Sequence, residues 1–294
     1  MEDKIFQCEG VDEKKVMVDN SLVSIITPVL NGIKYLEICI QSVLNQTYPN
    51  IEHIFIDGGS TDGTLDILKN YKSKYSEKIR FISEPDRGTG ISWNGAVDAC
   101  NKGWKIAKGD IFGWLGVDDT YESGTIMTIV KFFRLNQDAY FVFGSCNIIN
   151  EKNEIIRKVP TRDFILEDGI NDDCYIPCTS AFYKREVIET VGFLDTSINS
   201  ADLDYWMRVG KIYKRYQINK TLSNFRIHKE STSGLKGAGR MYIYESFIIS
   251  RRHGGSLFSG FAKRYYKLII IESLRPIFGF IYPIIKKILK KKSI

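Results

Sequence analysis

Apolar and polar positions alternate in a regular way along the first 120 residues of the chain. Short apolar runs predict buried strands at residues 23–27, 51–56, 79–83 and 111–115. Apolar residues at helical spacing, or cap-like residues, predict helices near residues 36–44, 60–71 and 94–108. Strands that alternate with helices in this way predict parallel βαβ units and an α/β fold.

Polar loops follow the four predicted strands. They cover residues 28–32, 57–61, 84–90 and 116–120. Because the carboxyl ends of parallel strands share one edge of a sheet, where ligands bind, we expect these loops to surround one pocket. Ser60 or Thr61 is expected to cap the helix that follows the second loop.

The pattern changes after residue 120. Apolar segments at residues 140–146, 154–159 and 179–184 predict strands of a mixed sheet. Residues 201–214 predict a helix that turns Leu203 and Trp206 inward. We see no repeat and no low-complexity linker, so the change indicates two halves of one domain.

Composition and charge narrow the class of protein. Of the 294 residues, 44% are hydrophobic, which is typical of a globular chain. The net charge of +6 is uneven, because residues 251–294 hold eleven Lys or Arg and one acidic residue, while the remainder is slightly acidic. A nucleic-acid-binding body would be basic, so we expect no nucleic-acid partner.

Two further patterns concern the compartment. Six cysteines show no CxxC pair and no metal-finger spacing, which indicates reduced thiols in a cytosolic protein. Residues 1–20 are mixed and polar, unlike a secretory signal. No apolar run reaches the roughly eighteen residues that a membrane-spanning helix needs.

The candidate chemistry begins at Asp118 and Asp119, which follow the fourth predicted strand. Adjacent carboxylates repel each other and favour a cation, and a hard divalent metal takes oxygen ligands. A metal held by one or two carboxylates completes its coordination with water and substrate phosphates. Taken alone, the pair is more typical of a turn or a helix cap, since Asp accepts hydrogen bonds from free backbone N–H groups.

An ordered series of segments favours the metal site over the turn or helix cap. In order, the segments are VSIITPVLNG, SVLNQTYPNIEHIFIDGGSTDGT, SEPDRG, DACNKG, LGVDD, ADLDYWMR and FRIH. With them the chain resembles glycosyltransferase family 2, the inverting nucleotide-sugar enzymes with a GT-A fold, over about residues 22–232.

The resemblance implies the fold and its divisions. A Rossmann-like, mostly parallel nucleotide-binding half would be continuous with a mixed-sheet acceptor half, and C-terminal helices would follow. The expected divisions are an N-terminal extension at residues 1–21, the GT-A domain at 22–235 and a helical, basic amphipathic tail at 236–294.

The resemblance also implies roles for particular residues. Those expected to bind the nucleotide sugar are Thr27, Pro28, Asp57, Glu84, Asp86, Arg87, Asp118 and Arg226. Asp119 matches the direct ligand of a divalent metal, Mn²⁺ or Mg²⁺, and His228 would reach the metal or the diphosphate. Asp202 matches the general base, which takes a proton from the acceptor hydroxyl.

Some features depart from the family pattern or have structural alternatives. Gly58 stands where many relatives carry a second acid, Gly116 stands where many carry an acid or Asn, and residues 89–96 lengthen a common spacing. A helix cap is the alternative for Asp202. A structural or exposed histidine is the alternative for His228, and a turn residue is the alternative for Arg87.

The C-terminal tail predicts contact with a membrane surface. One helical face of this segment carries Ile284, Ile285, Ile288 and Leu289, and its lysines fall mostly on the other face. The segment is too short to span a bilayer but fits an interfacial helix. The alternative is a helix packed on the protein's own surface.

These patterns together predict an inverting, metal-dependent hexosyl- or N-acetylhexosaminyltransferase, peripheral at the inner face of a membrane. The expected donor is a nucleotide-diphosphate sugar, with UDP favoured. The expected acceptor is a hydroxyl of a glycan or lipid-linked glycan in cell-surface polysaccharide biosynthesis. The alternatives are a polyprenyl-phosphate glycosyltransferase and a non-catalytic nucleotide-sugar-binding protein.

Overall fold

The computed structural model describes residues 20–85, 94–160, 165–231 and 238–274. The predictions for most of the N-terminal extension, for Asp86 and Arg87, for most of the long spacing at residues 89–96 and for the basic segment after residue 274 lie outside these ranges.

Strands and helices alternate through the described residues. The strands are β1 (Val23–Val29), β2 (Ile51–Asp57), β3 (Ile79–Ser83), β4 (Ile111–Trp114), β5 (Thr120–Tyr121), β6 (Phe141–Ile149), β7 (Ile155–Val159), β8 (Ala181–Lys184) and β9 (Arg215–Arg226). The helices are α1 (Ile33–Leu44), α2 (Thr64–Lys74), α3 (Asn94–Ile106), α4 (Thr125–Leu135), α5 (Leu166–Asn171), α6 (Arg185–Val191), α7 (Ala201–Ile212), α8 (Ala238–Arg252) and α9 (Gly260–Leu274).

The described strands form a single sheet with a parallel half and a mixed half, as predicted. Its order is β3-β2-β1-β4-β8-β6-β9-β5, and β7 pairs with β6. Strands β1 to β4 are parallel where they pair. Strand β2 is buried along its whole length, which is typical of a parallel strand covered by helices on both faces.

The direction of β9 brings a distant segment to the edge of the sheet where the parallel strands end. Strand β8 runs antiparallel to both β4 and β6, so β6 runs parallel to β4. Strand β9 in turn runs parallel to β6. The carboxyl end of β9 therefore lies at the same edge of the sheet as the carboxyl ends of β1, β2 and β4.

Apolar side chains pack on both faces of the sheet. Trp104 from α3 and Trp206 from α7 belong to the core of one face, while Val43 from α1 and Phe132 from α4 belong to the other. All four are at most 3% exposed. Because burying one such side chain stabilises the fold by roughly 1.5–3 kcal/mol, the two cores fix the sheet that carries the loops.

The cap predicted for α2 is wrong. This helix begins at Thr64, after Gly63, whose φ of 97° is in the left-handed region. The backbone N–H of Thr64 donates to the Asp62 carboxylate at 3.0 Å. Ser60 instead accepts a hydrogen bond from the backbone N–H of Asn31 in the loop after β1.

None of the helices within the described ranges combines the length and the apolar character needed to cross a membrane.

Candidate active site

The loops after β1 and β2 are joined by hydrogen bonds between side chains and backbone. The backbone N–H of Asn31 donates to Ser60 Oγ at 2.7 Å, and Asn31 Oδ1 accepts the N–H of Thr61 at 2.9 Å. Asn31 has a φ of 51°, a left-handed conformation that Asn tolerates better than most residues. These bonds fix two of the predicted ligand-binding loops relative to each other.

Asp57 organises the loop after β2 from inside the protein. It is fully buried, and its carboxylate accepts hydrogen bonds from the backbone of residues 59–60 and from Ser83 Oγ at 2.7 Å. Glu84, at the end of β3, is half exposed and pairs with Lys102 Nζ at 2.7 Å. The contacts predicted for Asp57 and Glu84 with the nucleoside remain predictions.

Thr27 is also buried, and its side chain points toward β2. Its Oγ1 lies 2.9 Å from His53 Nε2. Burial lowers the pKa of His53 to about 3, so this histidine is neutral near pH 7. Pro28 is half-buried beside it. The predicted contact of Thr27 and Pro28 with the nucleobase remains a prediction.

The carboxylates of Asp118 and Asp119 lie over Gly116. A Cβ atom on Gly116 would come within 2.6 Å of Asp119 Oδ2 and 3.0 Å of Asp118 Oδ1. Such distances are far below normal van der Waals contact, so a larger residue here would displace the acids. The glycine that departs from the family pattern therefore makes room for the acidic pair.

Asp119 is the more buried member of the pair. It is 2% exposed, and its Oδ1 accepts the backbone N–H of Arg226 at 2.8 Å. Burial, together with the negative charge of Asp118, raises the pKa of Asp119 well above its usual range. A cation beside the two carboxylates would offset this cost, so the arrangement fits a metal site.

Arg226 holds the same loop through its buried guanidinium. Its Nε donates to the Asp118 carbonyl and its Nη1 donates to the Asn150 carbonyl, each at 2.8 Å. The guanidinium also lies 4.7 Å from the centre of the Tyr35 ring. Its Nη2 is buried with no hydrogen-bond partner among the described residues. Contact between Arg226 and the donor remains a prediction.

His228 meets the acidic pair, as expected from the direction of β9. Its Nε2 lies 3.1 Å from Asp118 Oδ2, and its ring packs against Tyr35 with centroids 5.1 Å apart. A carboxylate with an imidazole nearby suits Mn²⁺ or Mg²⁺ whose coordination is completed by a diphosphate. In the part of the chain that the structure describes, no three acidic, His or Cys side chains form a metal-holding cluster by themselves.

Asp202 lies apart from the acidic pair, in the mixed half of the fold. It is the second residue of α7, and Ser200 occupies the cap position, so the alternative that Asp202 caps the helix is wrong. Asp202 lines a cavity of about 480 Å³ together with residues of β6, β7 and the 173–179 segment. Burial raises its pKa, and the negative charge of Glu245 adds to this effect.

Cys178 lies close enough to both acidic sites for their charges to act on it. This thiol is buried, which raises its pKa, and the charges of Asp202 and Asp119 both raise it further. Cys178 also lines the cavity that contains Asp202. The five cysteines within the described ranges are free thiols, in agreement with the prediction for those positions. The arrangement can bind an anionic group with a metal at one site and accept a proton at the other.

A match to the family described as Glycosyl transferase family 2 covers residues 24–192, more than half of the chain. The chain belongs to glycosyltransferase family 2. The family predicted from the sequence motifs is therefore confirmed. Asp202, Arg226 and His228 lie beyond the matched residues, while the acidic pair at residues 118–119 lies within them.

Relatives of this family 2 chain include enzymes named for the synthesis of polysaccharides. Chondroitin synthase from Escherichia coli is 29% identical over 212 residues, which are 72% of this chain and 30% of that protein. The putative teichuronic acid biosynthesis glycosyltransferase TuaG from Bacillus subtilis is 27% identical over 216 residues, which are 73% of this chain and 82% of that protein. The matched part is about a third of the length of the first curated relatives.

Solved structures of glycosyltransferases share the fold. The mannosyltransferase PcManGT from Pyrobaculum calidifontis, in complex with GDP-Man and Mn²⁺, has a TM-score of 0.63 at 18% identity and covers 85% of this chain and 70% of that one. TarS 1–349 from S. aureus, in complex with UDP-GlcNAc, has a TM-score of 0.61 at 16% identity and covers 88% of this chain and 73% of that one. The predicted GT-A fold is confirmed.

Sequence reasoning missed two residues of this family 2 site. Tyr35 packs against both Arg226 and His228, but in the sequence it reads as one more apolar position of α1. Glu245 contacts the residues before Asp202 from 45 positions along the chain and belongs to no recognised motif. Neither had a local signal, because their roles depend on contacts between distant elements.

Proposed function

We propose that this chain is an inverting, metal-dependent glycosyltransferase that moves a sugar from a nucleotide-diphosphate sugar, with UDP favoured, to a hydroxyl of a glycan or lipid-linked glycan. The observation that carries the proposal is the acidic pair after β4, which His228 approaches to 3.1 Å, in a fold that also places Asp202 in a cavity. Relatives named for chondroitin and teichuronic acid synthesis, and TarS in complex with UDP-GlcNAc, support a role in cell-surface polysaccharide synthesis.

The proposed chemistry divides between the two sites. The acceptor hydroxyl enters the cavity beside Asp202, which takes its proton as the oxygen attacks the anomeric carbon. The bond from that carbon to the diphosphate breaks on the opposite side, so the configuration inverts. Asp119 and His228, beside Asp118, would hold Mn²⁺ or Mg²⁺, which supplies positive charge for the departing diphosphate.

The raised pKa of Asp202 suits this role. Since burial disfavours its charged form, the carboxylate gains more by accepting a proton than an exposed Asp does. An alcohol is a poor nucleophile near neutral pH, so a base placed at the attacking oxygen lowers the barrier.

The test is donor turnover with a panel of nucleotide sugars, metal and a membrane extract as acceptor source. Asp202→Asn is expected to slow transfer by about 10²- to 10⁴-fold, the usual contribution of a general base. Asp173→Asn is the matched control, because Asp173 lines the same cavity. Absence of donor consumption by the wild type contradicts the enzyme proposal, and full activity of Asp202→Asn contradicts the base assignment.

A polyprenyl phosphate is the second candidate acceptor, and one observation favours it. Arg157 and Lys158 line the same cavity as Asp202 and would pair with a phosphate. An anionic phosphate oxygen needs no base, so transfer to polyprenyl phosphate would survive Asp202→Asn. Assaying that variant with polyprenyl phosphate and with a glycan acceptor separates the two candidates.

We also propose that the chain binds the inner face of a membrane through its basic tail. The described surface that leads into this tail is apolar, since Phe258 is 82% exposed and Ile270 of α9 is 59% exposed. Lysines near anionic lipids add at most about 1 kcal/mol each to the binding free energy. Pelleting with anionic vesicles should fall when residues 276–294 are deleted, and unchanged pelleting contradicts this proposal.

A further inference from the structure

The amino end of α7, which carries Asp202, is held by another helix. The first N–H groups of a helix have no partner within it and need an external acceptor. The Ser200 side chain does not provide one. Instead, Glu245 of α8 accepts the backbone N–H of Ser200 at 2.7 Å and the Ser200 hydroxyl at 2.8 Å through Oε2.

The second oxygen of Glu245 holds the preceding residue. Its Oε1 accepts the backbone N–H of Asn199 at 2.9 Å and the Asn199 side-chain amide at 2.6 Å. Glu245 is 8% exposed, so all four hydrogen bonds to this carboxylate are shielded from water. Such charge-assisted bonds are stronger than neutral ones, and a negative charge at a helix amino end is favourable.

A second contact with the C-terminal part of α8 lies just beyond Asp202. The buried carboxylate of Asp204 lies 2.9 Å from Nε2 of His253, the residue that follows α8, and accepts a bond from Arg252 Nη1 at 3.3 Å. Arg208 Nε, one turn along α7, donates to the same carboxylate at 2.8 Å. Asp202 therefore lies between two points of attachment.

We infer that Glu245 is a positioning residue, which fixes the amino end of α7 and so holds the Asp202 carboxylate in the acceptor cavity. The inference rests on the proposed function, in which Asp202 is the base. It extends the site to α8, which lies outside the residues matched to the family. A displacement of about 1 Å in a reacting group costs up to roughly 10²-fold in rate.

The titratable groups around Asp202 belong to α8, to the segment at residues 173–179 and to β7. Glu245 and Tyr242 face it from α8, and the charge of Asp202 also reaches Cys174 and Cys178. The other titratable residues that line the cavity are Asp173, Arg157 and Lys158. Replacing Glu245 by Gln removes one negative charge from this set and leaves the others.

The experiment compares Glu245→Gln with the wild type in transfer assays across pH. Gln cannot accept all four bonds, so kcat should fall about 10- to 100-fold while donor affinity is unchanged. The acid limb of the kcat/KM profile should move to lower pH, because a negative charge beside Asp202 is gone. Glu272→Gln is the control, since Glu272 pairs with Arg240 between α8 and α9, and it should behave as the wild type.

The outcomes separate this inference from the proposed function. If Asp202→Asn loses transfer while Glu245→Gln keeps the wild-type rate and pH profile, Glu245 has no positioning role. If Asp202→Asn keeps transfer, the proposed base itself is wrong. Should Glu245→Gln fail to fold, Ser200→Ala removes one of the four bonds and should lower kcat about threefold at unchanged donor affinity; an unchanged kcat in that variant overturns the inference.

Discussion

The two acidic sites are held by different parts of the molecule. The loop of Asp118 and Asp119 is fixed within the sheet, by Arg226 at the end of β9. Asp202 lies at a helix end that Glu245 holds from outside the sheet. The proposed donor site therefore depends on the sheet itself, whereas the proposed base depends on a helix beyond the family match.

Asp202 and Asp204 lie in the same helix, α7, but their pKa values shift in opposite directions because their surroundings differ. Burial raises the pKa of Asp202, with little to oppose it beyond the N–H of Leu203. Burial acts in the same direction on Asp204, but hydrogen bonds from His253 and Arg208 outweigh it and lower its pKa to about 2. Asp202 is therefore suited to accept a proton, whereas Asp204 stays ionised near neutral pH and joins α7 to the end of α8.

The largest expected effect comes from removing metal. Chelation with EDTA should lower transfer by roughly 10³-fold or more, because the two carboxylates would then repel the diphosphate. Added Mn²⁺ or Mg²⁺ should restore the rate, which initial-rate assays would measure. Full activity after exhaustive chelation would show that the acidic pair works without a metal.

The next largest effect is expected at Arg226, which supports the loop of Asp118 and Asp119. Arg226→Met should lower the free energy of unfolding by about 2–4 kcal/mol, because the half-buried carbonyls of Asp118 and Asn150 lose the donors of a buried guanidinium. Lys34→Met is a matched control, since Lys34 also lies over Tyr35 but is exposed and should change little. Urea unfolding of both variants measures this, and equal stabilities would contradict the role of Arg226.

Acid should weaken the attachment of α8 to α7 through Asp204. Its pKa of about 2 in the folded state lies below the ordinary 3.8, so its contribution of about 2 kcal/mol is complete above pH 4. That contribution is lost as the pH falls from 4 towards 2. In urea unfolding, Asp204→Asn should therefore be less stable than the wild type at pH 6. The difference in stability between the two proteins should be smaller at pH 3. Asp66→Asn, at an 83% exposed side chain, should follow the wild type.

The smallest of these effects is expected at Gly116. A methyl group in Gly116→Ala would push against Asp119 Oδ2 and displace the acidic pair, so KM for the donor should rise about tenfold while the fold is retained. Gly239→Ala is the control, because a Cβ there would meet nothing within 4 Å. An unchanged KM in Gly116→Ala would show that the loop adapts without cost.

Strands β1 and β2 of the parallel half were predictable because they are buried on both faces and so read as mainly apolar runs. Strand β9 was not, because half-buried and exposed positions interrupt its apolar ones. The rule that strand ends share one edge correctly placed the loop of Asp118 and Asp119 beside the loops that follow β1 and β2. The contact of Glu245 with the amino end of α7 could not be predicted from the sequence. It joins two helices through a single carboxylate, and no periodic pattern of apolar residues indicates such a contact.

The most direct test of the division between the two sites is calorimetric titration of the donor, with metal, into Asp119→Asn and Asp202→Asn. Asn at residue 119 can still accept the N–H of Arg226, so the loop should stay in place. We expect donor affinity to fall about tenfold or more in Asp119→Asn and to stay within about twofold in Asp202→Asn, which nevertheless loses transfer. Equal loss of donor binding in both variants, or wild-type transfer by Asp202→Asn, would contradict this division.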